Sequence, residues 1–149
     1  MKSVSRGFAE QSAPVSAAGV LLGASPAMLE VFRLIERVGP TEGSVLVTGE
    51  SGSGKELACR SIHERSARSD GPFIAINCGA LPAGRIEAEL FGCETGSLAA
   101  AARARPGAFE RAEAGTLLLD EITELPLEMQ TRLLRVIETQ KFYRVGSNF

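Results

Sequence analysis

The sequence predicts an α/β fold built on a parallel sheet with helices on both faces. Three runs, "SVLVTG" (44–49), "PFIAINC" (72–78) and "GTLLLDEI" (115–122), alternate with segments of helical spacing. The runs are continuously apolar, as expected of strands covered on both sides. Ligands of such sheets sit at the carboxyl ends of the strands, and the polar residues of chemical interest lie there.

The elements follow in order. Ser25-Pro26 reads as an N-cap and a proline at the first helical position. Met28, Val31, Phe32, Ile35 and Val38 keep helical spacing up to Gly39-Pro40. Residues 44–49 read as a buried strand and 55–68 as a helix, with Leu57, Ala58 and Ile62 on one side. The strand at 72–78 is followed by a helix candidate at 82–91, where Ile86 and Leu90 are four apart. After the strand at 115–122, residues 126–140 read as a helix with Met129, Leu133, Val136 and Ile137 inward. Residues 141–147 read as a short strand or hairpin arm. Residues 1–18 are rich in Ser, Ala and Gly and read as a disordered leader, leaving 19–149 as the domain.

A chain of 149 residues suits one domain. A net charge of −2 argues against a protein whose main work is gripping nucleic acid. Seven Phe, one Tyr and no Trp argue against a base-stacking platform. Cys59, Cys78 and Cys93 are scattered and form no ligand pair, which points to reduced thiols and a cytoplasmic protein. His63 stands alone and reads as a helix-surface residue. No apolar run approaches the ~20 residues of a membrane span.

"GESGSGKE" (49–56) links the first strand to the first long helix beyond it. Gly49, Gly52 and Gly54 let the backbone wrap tightly around Glu50, Ser51 and Ser53 and turn its N–H groups inward. The helix N-terminus adds partial positive charge, and Lys55 adds a full one, placed to reach β- and γ-phosphates. The general pattern has Ser or Thr after the lysine to ligate Mg²⁺, whereas this chain has Glu56. The metal must then be held by other groups or through water. Downstream, "LLLDEI" delivers Asp120 and Glu121 to the end of an apolar strand. An Asp so placed beside a phosphate loop is the usual Mg²⁺ partner, and the adjacent Glu can polarise an attacking water.

These segments, with "LLGASPAM", "PFIAINCGALP", "ELFG", "AGTLLLDEITELPLEMQTRLLRVIE" and "YRVGS", resemble the AAA+ ATPase domain of bacterial enhancer-binding proteins, which act on sigma-54 RNA polymerase. The resemblance runs from about Leu22 to Ser147. It implies a P-loop NTPase (AAA+) fold, with ATP held by residues 49–56 and Mg²⁺ by Asp120. It implies that Glu121 orients water, that Asn77 pairs with that glutamate and relays nucleotide state, and that residues 21–23 lie near the adenine. Glu after the loop lysine is the family's own habit. The family assembles into hexameric rings that remodel the polymerase, so partners would be ATP and copies of itself or of relatives.

Two departures from the family follow. Its sigma-contacting loop, Gly-Ala-Phe-Thr-Gly-Ala, is here Gly96, Ser97, Leu98, Ala99, Ala100 and Ala101. The aromatic ring and the hydroxyl are replaced by Leu98 and Ala99, so the resemblance implies a contact loop in position without its contact chemistry. The family's sensor strand, arginine fingers, lid and DNA-binding helix-turn-helix have no counterpart in residues 1–149, so the fold is expected to be incomplete and hydrolysis by this chain alone negligible. The main expectation is the ATP-binding portion of a sigma-54-dependent activator. The alternatives are a non-catalytic interaction fragment and a regulator that acts without sigma-54 contact.

Overall fold

The computed structural model describes residues 16–18, 21–96 and 103–147. Strands β1 (Ser16–Ala18) and β2 (Leu21–Gly23) pair antiparallel, so the first of them falls in the segment expected as a leader. Helix α1 spans Pro26–Val38, and the Ser25 hydroxyl accepts the Met28 N–H at 3.2 Å as the expected cap. Helix α2 spans Lys55–Glu64, four residues shorter at its end than the spacing predicts. Strands β3 (Phe73–Asn77) and β4 (Thr116–Asp120) pair in parallel. Between them lie α3 (Ala83–Phe91) and the single turn α4 (Ala108–Arg111). A 3-10 turn at Ile122–Glu124 leads into α5 (Leu127–Thr139).

The parallel pair has helices on both faces, and strand alternation assigns each residue its side. Ile74, Ile76, Leu117 and Leu119 pack into the main core with α3 and α5. There Ile86, Leu90 and Phe91 are fully buried, each contributing about 1.5–3 kcal/mol. Met129, Leu133 and Val136 complete the face of α5, while Ile137, expected inward, is 46% exposed. The opposite strand face carries Phe73, Ala75 and Asn77 beside Thr116, Leu118 and Asp120, and α2 packs there. His63 Nδ1 lies 2.9 Å from Thr116 Oγ1, and its ring meets Phe73 at 5.3 Å. The lone histidine is therefore a buried brace between helix and sheet, not a surface residue. A second core joins Leu21, Phe32 and Ile35 to Ala58 and Ile62 of α2.

Two expected strands are absent among the described residues. Residues 44–49 form no ladder, with Val45 45% and Leu46 80% exposed. A strand needs a neighbour for its backbone groups, and no described segment pairs with this one. Residues 141–147 supply only one bridge, from Val145 to Cys93.

That bridge belongs to a neck that closes the loop between Gly92 and Gly107. Cys93 and Arg105 exchange backbone bonds of 3.0 and 2.9 Å, and Val145 N donates to the Gly92 carbonyl at 2.9 Å. The backbones of Gly92 and Gly107 touch so closely that a Cβ on Gly107 would lie 2.3 Å from the Gly92 nitrogen. Arg144 then grips Glu110 through two nitrogens, at 2.9 and 2.6 Å, and Glu94 at 3.2 Å.

Two outcomes follow from the neck. Gly107→Ala forces backbone apart and should cost about 1–3 kcal/mol in chemical denaturation. The Arg144 hydrogen bond, aided by the Gly107 N–H and by the guanidinium charge, overrides partial burial and holds the Glu110 carboxyl below its ordinary range. A folded value lowered in this way contributes stability that is full above the unfolded value of about 4.3 and is lost as pH falls through the folded one. Glu110→Gln should therefore flatten the acid limb of a stability-versus-pH curve; an unchanged limb would contradict the assignment.

Candidate functional site

The site begins at the unpaired segment that leads into the glycine loop. Ser53 turns the loop by donating from both N–H and Oγ to the Glu50 carbonyl, at 3.2 and 2.8 Å. Gly52 (φ 76°) and Gly54 (φ 87°) occupy left-handed backbone, which glycine adopts without strain. Gly54 caps α2 without any side-chain bond. The first-turn N–H groups of α2 are thus left for an anion, with the helix dipole behind them.

Lys55 is folded back over the loop, donating to the Gly49 carbonyl at 3.1 Å and the Glu50 carbonyl at 2.7 Å. Its ammonium therefore sits on the loop, held by weak neutral acceptors that a phosphate would outcompete. Glu56 turns along the outside of the helix toward Arg60, at 3.5 Å. Its carboxylate is engaged on the helix surface.

The second half of the site stands at the sheet's carboxyl edge. Asn77 and Asp120 are register partners, so the two side chains share the strand face that α2 covers. Asp120 Oδ1 accepts the Glu121 N–H at 3.0 Å, and the Asp120 carbonyl accepts the Cys78 N–H at 2.9 Å. Glu121 sits in left-handed backbone (φ 51°, ψ 43°), a conformation that costs a non-glycine residue about 1–3 kcal/mol. Strain of this kind is retained where it aims a side chain, and here it lifts Glu121 out of the strand line.

The halves meet through α2. Cys59 lies one helical turn beyond Lys55; burial first, then the charges of Asp120 and Glu56, push its thiol up. Cys78 is pushed up by burial, then by Asp120 and Glu121. Both thiols stay protonated at neutral pH and are poor nucleophiles. The same negative field that disfavours a thiolate favours a cation.

Helix α2, which the glycine loop opens, and the edge residues Asn77 and Asp120 thus belong to one side of the sheet. Gly96 stands apart, at the mouth of the loop beyond the neck, and residues 97–101 of the expected contact loop lie outside the described residues. Sequence reasoning missed the turn at Gly79, against which Glu121 rests. Its signal was a glycine directly after the strand-ending "INC". Among the described residues no helix is long and apolar enough to cross a membrane.

A glycine loop opening a helix, an aspartate ending a parallel strand and helices on both faces of the pair fit a partial domain of the P-loop NTPase fold. The chain belongs to the sigma-54 interaction domain family, which it matches over residues 21–149. It is 52% identical over 126 residues to the DNA-binding transcriptional regulator NtrC of Escherichia coli, covering 85% of this chain and 27% of that protein. It is 48% identical over 130 residues to the regulatory protein AtoC of Escherichia coli, covering 87% and 28%. The crystal structure of NtrX from Brucella abortus superposes with a TM-score of 0.79 at 43% identity, over 87% of this chain and 28% of NtrX. NtrX in complex with ATP superposes at 0.78, with 43% identity over 87% of this chain and 27% of NtrX. The chain thus spans less than a third of the length of these relatives.

Proposed function

We propose that this chain is the ATP-binding portion of a sigma-54-dependent transcriptional activator, acting in a ring of copies of itself or of relatives. The observation that carries this reading is the shared side of the sheet: α2, which begins with Lys55 and an open N-terminus, packs on the strand face that carries Asn77 and Asp120. The ATP complex of NtrX supports it.

The donor set fits Mg²⁺. Asp120 offers hard oxygen at a strand end, where its carboxylate accepts the next residue's N–H and keeps further lone pairs open. Among the described residues no three His, Cys, Asp or Glu side chains form a metal cage. Mg²⁺ suits that arrangement, since it is bound by one or two carboxylates together with phosphates and water. When bound, it would neutralise charge on the β- and γ-phosphates. Around it, the loop N–H groups and Lys55 orient the phosphates, and Glu121 holds a water for attack.

Calorimetric titration should show MgATP binding by the chain. Lys55→Ala removes a charge-assisted contact worth about 1.5–3 kcal/mol and should weaken binding roughly 10- to 100-fold. A wild-type chain that does not bind, or a variant that binds equally well, would overturn this reading.

The same reading assigns residues 96–101 to the polymerase-facing loop, carried by the neck at Cys93 and Arg105. Leu98 and Ala99 lack the ring and hydroxyl of that loop, so the natural chain should not cross-link to sigma-54 in the presence of a transition-state mimic of ATP. The double variant Leu98→Phe, Ala99→Thr should gain the cross-link. Strong cross-linking by the natural chain would show that the loop works with other residues.

A further inference from the structure

We propose that Gly79 is a positioning residue for Glu121: its missing side chain is the recess that receives the glutamate carboxylate. The inference rests on the reading of Glu121 as the water-orienting acid and adds what fixes its resting place.

The recess is built on a pinned turn. After β3 the chain turns sharply, with Asn77 Oδ1 accepting the Gly79 N–H at 2.9 Å. The Cys78 N–H is tied to the Asp120 carbonyl at 2.9 Å, so the turn is fastened to the end of β4. Glu121 is aimed at this turn by its left-handed backbone, by its N–H bond to Asp120 Oδ1 at 3.0 Å, and by its carbonyl, which accepts the Glu124 N–H at 2.9 Å.

A Cβ placed on residue 79 would lie 2.9 Å from Glu121 Oε2, 3.3 Å from Glu124 Cγ and 3.5 Å from Asn77 Oδ1. The first distance is too short for any carbon–oxygen contact at rest. A methyl group and the carboxylate therefore cannot both occupy the recess. The turn and Asn77 are held by hydrogen bonds, whereas the atom that meets the methyl group is the far end of the long Glu121 side chain. The carboxylate is what must leave.

This gives residue 79 control over an equilibrium. With glycine, the carboxylate has a berth against the Asn77 turn. A Cβ at residue 79 takes up that space, and the carboxylate is displaced from it. The nearest neighbours of the recess belong to Glu121, Glu124 and Asn77 and not to the 49–56 loop, so the effect is on the acid and not on nucleotide affinity.

The test compares crystal structures of the chain and of Gly79→Ala. The Glu121 carboxylate should move beyond about 3.5 Å from the new methyl group, with the turn at residues 77–80 and the Asn77 bond unchanged. Gly79→Ala combined with Glu121→Asp, one methylene shorter, should bring a carboxylate back toward the turn. The MgATP dissociation constant should stay within about twofold in Gly79→Ala, as expected for a site that does not share contacts with the loop. Independently of any change at residue 79, Glu121→Gln should shift the Gly79 resonances in an NMR spectrum and leave those of Gly84 in place. A carboxylate that stays over the methyl group of Gly79→Ala while the backbone yields, or Gly79 resonances indifferent to Glu121, overturns the proposal. A wild-type chain that fails to bind MgATP while these structural results hold would instead count against the functional reading alone.

Discussion

The parallel pairing of β3 with β4, in a register that sets Asn77 beside Asp120, is the constraint on which the rest of the structure depends. Side chains alternate along a strand, so this one register decides which residues enter the core and which face α2. Slipping it by one residue would send Asp120 into the apolar layer that Leu117 and Leu119 now fill and turn those leucines to the α2 face. Burying an unpaired carboxylate costs several kcal/mol, so the core specifies the site. The apolar residues of two short strands place the polar ones.

The second dependency runs through α2. One end of this helix is the open N-terminus at Gly54; the other is braced to the sheet by His63, at 2.9 Å from Thr116. Arg60 adds to the brace, 4.5 Å over the Phe73 ring. The helix is thereby held over the strand face that carries Asn77 and Asp120. The glycine loop inherits its position from the helix, because the segment that precedes it pairs with no described strand. The bonds that Ser53 and Lys55 make are accordingly short-range, both satisfying carbonyls within six residues. Anchored from one side, the loop depends on itself for shape.

Much of this was legible in the sequence. The helix at Ser25-Pro26, both paired strands and the helix beginning at Lys55 follow from caps, apolar runs and glycine spacing, all of which act locally. The placement of Lys55 at a helix start and of Asp120 and Glu121 at a strand end was legible because glycine spacing and the end of an apolar run mark those positions locally. What was not legible depended on partners distant in the chain. An apolar run such as 44–49 becomes a strand only where a neighbour takes its hydrogen bonds, and composition carries no record of the neighbour. His63 was read as a surface residue because it stands alone, yet it is held by Thr116, from a strand far away in sequence, and by Phe73 of the strand beside it. Ile137 kept helical spacing with the core residues but fell at the edge of a face already filled by Met129, Leu133 and Val136. Leu98 and Ala99 could be read for what they lack, since a missing ring or hydroxyl needs no geometry to be noticed.

The site also shows where the fold accepts cost. Glu121 is strained, the α2 N-terminus has no side-chain cap and Lys55 leans on carbonyls of its own loop. The strain is a local loss of about 1 kcal/mol or more, and the glycine cap one of about a few tenths. Each of the three is also a group that a phosphate, a cation or a bound water would satisfy. Cations and carboxylates are kept apart in the resting arrangement, with Lys55 on the loop and Glu121 over the Gly79 turn. Had Lys55 and Asp120 closed a salt bridge, the gain in stability would have come from the same charges that the proposed anion and metal would use. A ligand that joins the two halves adds its binding energy to the folded state alone.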